Sequence, residues 1–258
     1  MPHVKSLGFF EGMRYPLLGL KHLLAHRELW PYAIRAFVVG ISLFIVLAVF
    51  AAVLLLDVPG TIFEDGFNAK SCLLGCLALL LGVVGGVVLF ALIGNVVAGP
   101  YLEAMTERMM ADAGRLRETP RGYWAAFWPG LRDQAGRFLI WAIVQSGLLV
   151  TWVTPAAFLY PLGAWGVSIF FVALEAVEYP LEALGLRFFP RIEWGLKRLP
   201  PVLGFGTTLF FLMPVAGFIF LPAAVCGAVL LEEEMKKSQV PGPESSAGPP
   251  SGDRPASP

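Results

Sequence analysis

The stretch from Phe138 to Leu174 constrains this chain most: 37 residues without one charged side chain. As a single helix at about 1.5 Å per residue it would run about 55 Å, far more than the hydrocarbon thickness of a bilayer. Thr154-Pro155 and Pro161-Leu162-Gly163 interrupt it, leaving pieces of about 13 to 17 residues, and apolar lengths near the lower end favour re-entrant or interfacial helices over full spans. Leu199 to Leu231 has the same character. It opens on Pro200-Pro201 and carries Pro214 near its middle and Pro222 beyond. Each stretch reads as two short helices joined at a turn, a hairpin that dips into the bilayer. Proline alone can merely kink a longer helix, so this reading rests on length and punctuation together.

Two further runs are of a simpler kind. Ala36 to Leu56 is 21 uninterrupted apolar residues, and Cys72 to Ala98 is 27 with Asn95 as its only strongly polar member. About 20 helical residues cross a bilayer, so each is one full span. Hydrophobic residues make up 57% of the chain and charged residues 15%, against about 25% charged in soluble domains. The expected fold is an all-α integral membrane protein with two transmembrane helices and two partly inserted, re-entrant helical hairpins. Residues 1–35 form an N-terminal cytoplasmic arm with an interfacial helix. Residues 36–235 form the membrane domain, with spans at about 36–56 and 72–98 and hairpins at about 138–174 and 199–231. Residues 236–258, rich in Pro, Gly and Ser, lack the large apolar side chains that would offset ordering entropy and are expected to be a disordered tail.

Charge placement sets the orientation. Residues 1–35 hold five Lys or Arg, the loop 57–71 holds only Lys70, the segment 99–137 holds six, and 175–198 holds four: Arg187, Arg191, Lys197 and Arg198. Positive-inside puts the N-terminus and 99–137 in the cytoplasm. A hairpin that enters and returns keeps 175–198 and the C-terminus there too. Six complete spans satisfy the same parity and stay open as the alternative. The interrupting charges of residues 1–35 do not match a cleavable signal peptide, so the first span is expected to act as the signal anchor. The formal net charge is zero, which gives no field favouring nucleic acid. Cys72 and Cys76 share a helix face, yet no His or further Cys lies near enough in sequence to complete a metal site, and with Cys226 they read as small buried apolar residues.

The second run ends at Asn95 and meets Gly99-Pro100. Proline lacks an N–H and suits the first turn of a new helix, one carrying Glu103, Glu107, Arg108, Asp112 and Arg115 beside Leu102, Met105 and Met109. By itself this is a stop-transfer corner followed by a surface helix. The run Asn95-Val-Val-Ala-Gly-Pro-Tyr-Leu-Glu-Ala-Met-Thr-Glu also resembles the N-x-I-A-A-P-F-x-x-x-L-x-E signature of the CysZ sulfate permease and etoposide-induced membrane protein family. Gly19-Leu20-Lys21 followed by Pro31 is similar to that family's entry into its first span. Glu178-Tyr179-Pro180 resembles its link before the second hairpin, and Gly204-Phe205-Gly206, Pro214, Pro222 and Gly227-Ala228 resemble its closing hairpin. The resemblance covers residues 10–231.

It implies two spans and two inserted hairpins, sulfate movement across the bacterial inner membrane in support of cysteine synthesis, and homo-oligomers. It also implies a substrate-binding stretch at Gly19, Leu20, Lys21 and His22. The family's third residue here is Arg, and Lys21 departs from it. Lysine offers one compact charge where arginine offers a bidentate fork, so a sulfate contact would survive with less geometric specificity. Lys21 also reads as a snorkelling lysine beside lipid phosphate.

Between positions 36 and 98 the only Lys, Arg or His is Lys70. An anion crossing the two spans would then depend on backbone, at helix N-termini exposed by discontinuous helices. The turns at Thr154-Pro155-Ala156 and Pro214-Val215-Ala216 are the candidates, and Asn95, Thr151, Thr154, Gln145 and Ser146 would line a polar path. Serine and threonine in membrane helices also commonly bond their own backbone. Glu175, Glu178 and Glu182 form a carboxylate stripe at a membrane exit, where proton coupling is conceivable and a solvated surface face is simpler. His3, His22 and His26 all lie in the arm, and no nucleophile–base pair, metal-protease helix or phosphate loop occurs, so no catalysis and no cofactor are expected. The partners implied are sulfate or a similar oxyanion, the lipid bilayer and further copies of the chain. A non-transporting membrane scaffold is the alternative.

Overall fold

The computed structural model describes residues 7–63, 73, 77, 94, 96–115, 123–155 and 157–238. Among these the structure is helical: α1 (Phe9–Gly12), α2 (Tyr15–Ala25), α3 (Trp30–Phe63), α4 (96–112), α5 (Tyr123–Leu149), α6 (Leu159–Ala183), α7 (Phe188–Lys197) and α8 (Leu199–Lys237). Most of the run from 72 to 95, and the tail from 239, lie outside the described residues.

Local chemistry explains several ends. Gly114 and Gly185 have φ of 65° and 79°. At each, two backbone N–H groups reach back, Arg115 to Met110 and Gly114 to Ala111, and Leu186 to Leu181 and Gly185 to Glu182. This left-handed closure satisfies the last carbonyls of α4 and α6. The Gly99-Pro100 break expected from sequence is absent, since residues 96–112 are continuously helical. The loss of one backbone hydrogen bond at Pro100 is outweighed by packing, for Leu102, Met105 and Met110 on the same helix are fully buried. The segment is therefore part of the core, not the surface helix that composition implied.

The first hairpin is formed by α5 and α6, which reverse through residues 150–158 around Thr154-Pro155. Its arms are 27 and 25 residues long, longer than the punctuation predicted. Pro161 falls in the first turn of α6, where a missing N–H is tolerated, and both helices continue past the ends of the uncharged run. Three stretches among the described residues, Arg27–Leu47, Phe127–Trp152 and Leu159–Ala183, are long and apolar enough to cross a membrane. Large apolar side chains such as Val38, Ile45, Leu139, Ile143, Trp152 and Trp165 stand exposed along them. In water this much apolar surface would drive aggregation, whereas lipid is its natural solvent.

Helix α8 runs for 39 residues, from Leu199 to Lys237, yet it cannot be straight. A Cβ added to Gly12 would lie 2.1 Å from the Pro201 carbonyl oxygen, and one added to Gly227 would lie 2.4 Å from that of Tyr15. Gly12 and Tyr15 are three residues apart, so at most about 10 Å. A straight helix would hold Pro201 and Gly227 about 39 Å apart. The chain therefore doubles back between the two halves. Val202, Phe205 and Leu209 of the first half share one core cluster with Phe220, Ala224, Ala228 and Leu231 of the second, and Ala173, Val177 and Leu181 of α6 complete it. A second cluster joins Leu23 of α2, Leu102 and Met105 of α4, and Ala223, Val225 and Cys226 of α8. Glycines permit these approaches, because at Gly19, Gly204, Gly206 and Gly227 the atoms first met are neighbouring backbone.

Candidate functional site

The sequence-predicted stretch Gly19–His22 lies on α2, against the second half of α8. Gly19 is buried, and its Cα faces Ala223 and Gly227 so closely that any side chain would strike the Ala223 carbonyl oxygen. Leu20 packs against both core clusters. Lys21 is exposed, and with His22 it lines an open cavity of about 430 Å³ shared with Tyr15, His26, Glu233, Glu234 and Lys237. Lys237 is paired with Glu233 at 2.8 Å. Burial pushes the Tyr15 hydroxyl up to about 12, with Glu234 and Glu11 adding to the effect. The arm thus divides in function along one helical turn, with glycine seating the helix and lysine facing outward.

The candidate path residues are engaged locally. The Thr151 hydroxyl donates to the Leu148 carbonyl at 2.6 Å and the Thr154 hydroxyl to the Thr151 carbonyl at 2.7 Å, closing the end of the first arm. The Gln145 amide donates across the hairpin to the Ala164 carbonyl and meets the Ser168 hydroxyl, both at 3.1 Å. Ser146 is exposed. Asn95 and Ala156 lie outside the described residues, and residues 214–216, expected as a turn, are assigned to helix α8, described for its backbone only there.

The strongest polar constellation is one that the sequence did not single out. At the base of the first hairpin, where α4, α5, α6 and α7 meet, Arg137 and Arg191 are buried. Arg137 pairs with Glu178 at 2.8 Å and donates to the Gln134 side-chain oxygen at 2.6 Å. Arg191 pairs with Glu182 at 3.1 Å and Asp133 at 3.6 Å, and its Nε–H donates to the Leu186 carbonyl at 2.7 Å. These groups, with Gly99, Pro100 and Glu103, enclose a cavity of about 40 Å³, room for water. The Arg137 Nε is buried with no hydrogen-bond partner among the described residues. A third arginine, Arg115, is tied to the buried carboxylate of Glu232.

Two sequence expectations are corrected here. The stripe of Glu178 and Glu182 is not a solvated face, since each carboxylate is paired with a buried guanidinium. Buried cations do exist, so backbone is not the sole source of positive charge near the hairpin. A signal was present: once the uncharged run folds in half near residue 155, Arg137 at one end must meet Glu175 and Glu178 at the other. Burying each ion costs several kcal/mol, which only close pairing offsets. The arrangement therefore locks α5, α6 and α7 together, and any anion entering it would compete with carboxylates already in place.

A chain of helices with lipid-exposed apolar flanks, its buried charges paired with one another at the hairpin base and between the end of α4 and α8, is an all-α membrane protein. It belongs to the Sulfate transporter CysZ/Etoposide-induced protein 2.4 family, which it matches over residues 15–222. Among curated relatives, it is similar to "Sulfate transporter CysZ" of Pseudomonas paraeruginosa, 26% identical over 163 residues, covering 58% of this chain and 65% of the relative. The protein of the same name from Pseudomonas syringae pv. tomato is 24% identical over 148 residues, covering 55% and 58%. The match thus spans 65% and 58% of those relatives' length, less than two thirds of either.

Proposed function

We propose that this protein is a membrane permease for sulfate or a related small oxyanion, supplying sulfur for cysteine synthesis. The observation that carries the reading is membership of a sulfate transporter family across residues 15–222. Lys21 and His22 provide the first contact at the mouth of the arm cavity, and Gly19 and Leu20 hold them there. Asn95, Gln145, Thr151 and Thr154 border the path. The protein works as a homo-oligomer in the bacterial inner membrane, with both termini in the cytoplasm, and neither catalysis nor a cofactor enters the transport step. Purified protein in proteoliposomes is expected to give saturable sulfate flux, lowered by Lys21→Ala. Flux no greater than that of empty vesicles overturns the reading.

One observation favours a second reading, a non-transporting membrane scaffold. The three arginines described above are held by carboxylates, and the hydroxyls and amide expected along the path are bonded to the protein itself. Under this reading, deleting residues 239–258 removes a partner from pull-downs, and flux stays at background.

A further inference from the structure

His22 and His26 stand one turn apart at the end of α2, their rings stacked with centroids 3.9 Å apart and planes at 25°. Residues four apart share a helix face. The same spacing lets two histidines of an H-E-x-x-H helix hold one zinc ion. The Nδ1 of His26 lies 2.9 Å from the His22 carbonyl oxygen. A carbonyl only accepts, so Nδ1 donates and Nε2 is the nitrogen left to face a metal, the arrangement by which metal-ligating histidines are oriented. Burial first, then His26, holds the His22 imidazole below its usual range, while Glu233 and Glu28 pull the other way.

Both rings line the open cavity beside Lys21, Glu233, Glu234 and Lys237; Lys237 pairs with Glu233, and Glu234 offsets the charge of Lys21. No group of three His, Cys, Asp or Glu ligands is assembled among the described residues, so an ion held here would complete its shell with water. Such a site is open and exchangeable, unlike a closed structural one. Two imidazoles without thiolate suit metals of intermediate softness.

We propose that His22 and His26 form a two-histidine binding site for a divalent transition-metal ion of the Zn²⁺, Cu²⁺ or Ni²⁺ class. In this site the ion is held by Nε2 of His26, whose Nδ1 stays on the His22 carbonyl, and by one ring nitrogen of His22, each at the usual about 2.0–2.1 Å. Binding clips the end of α2 to the turn that leads into α3, coupling metal affinity to the fold of the arm. The site shares His22 and its cavity with the transport reading, but metal binding requires no anion and is read without one.

Untagged full-length protein in detergent, titrated with ZnCl₂ by calorimetry and with CuCl₂ by electron paramagnetic resonance, tests this. One ion per chain is expected, with a two-nitrogen copper signature. Loss of an outer-shell partner already costs about 10- to 100-fold in affinity, so His22→Ala and His26→Ala are each expected to weaken binding at least about tenfold, while His3→Ala leaves it unchanged. Both targets lie at the cavity surface and the variants are checked for native helicity and melting. Binding that survives both substitutions, binding that depends on His3, or the absence of binding at submillimolar metal each overturns the proposal.

Discussion

Gly19 offers the sharpest test, because its sequence context points to an anion ligand and its surroundings point to packing. In Gly19→Ala the new Cβ would lie 2.1 Å from the Ala223 carbonyl oxygen, 2.3 Å from the Gly227 nitrogen and 2.6 Å from the Gly227 Cα. All three are backbone atoms of α8 and cannot rotate away. Ordinary contact begins near 3.4 Å, so α2 must retreat by more than about 1 Å, and a gap of that size forfeits about a quarter to a half of each dispersion contact it opens. Overpacking against rigid atoms belongs at the upper end of the usual range, about 3 kcal/mol. Alanine's better helix propensity returns about 1 kcal/mol. The net loss of about 2 kcal/mol corresponds to a fall of about 4–8 °C in melting temperature for a chain of this size. Intrinsic fluorescence during heating in detergent, with and without sulfate, measures it. Gly147→Ala is the control: a Cβ there meets nothing within 4 Å, and stability should hold or rise slightly. An unchanged melting temperature in Gly19→Ala would refute the close approach. If that variant instead lost only its sulfate-dependent stabilisation, Gly19 would be acting at the anion site and not as a seat for the helix.

Arg137→Met strands the Glu178 carboxylate and is expected to destabilise by about 3–5 kcal/mol; adding Glu178→Leu should recover much of that in a double-mutant cycle read by chemical unfolding in detergent. Gln145→Leu removes the clamp between the hairpin arms, and since interhelical hydrogen bonds in membranes average about 0.6 kcal/mol, melting should fall by no more than a few degrees. The His22 imidazole is held below its usual range in the folded protein, so the unfolded chain binds more protons near its normal pKa of about 6.5. Its contribution is complete above that value and is lost as pH falls through the folded value. Wild-type melting should consequently drop further than that of His22→Gln between about pH 7 and about pH 5, and parallel curves would contradict the assignment.

Length, composition and periodicity were enough to establish helices and a membrane setting, because a 37-residue uncharged run admits no water-soluble alternative of ordinary size. The residue order also carried the family, since the motifs at 19–21, 95–107 and 204–228 recur in sequence whatever they touch in space. What these motifs do was not legible. Gly19, Gly204 and Gly227 read as parts of separate signatures, and only the fold reveals them as points where α1, α2 and α8 approach backbone to backbone. The buried pairs at Arg137 and Arg191 escaped for a related reason. Charges that flank apolar runs look solvated in one dimension, and burial is a property of what lies opposite. Local chemistry acts within a few residues and so can be read along the chain, whereas desolvation and ion pairing depend on partners on other helices, as Arg137 on Glu178 and Arg191 on Asp133, which tertiary structure alone brings together.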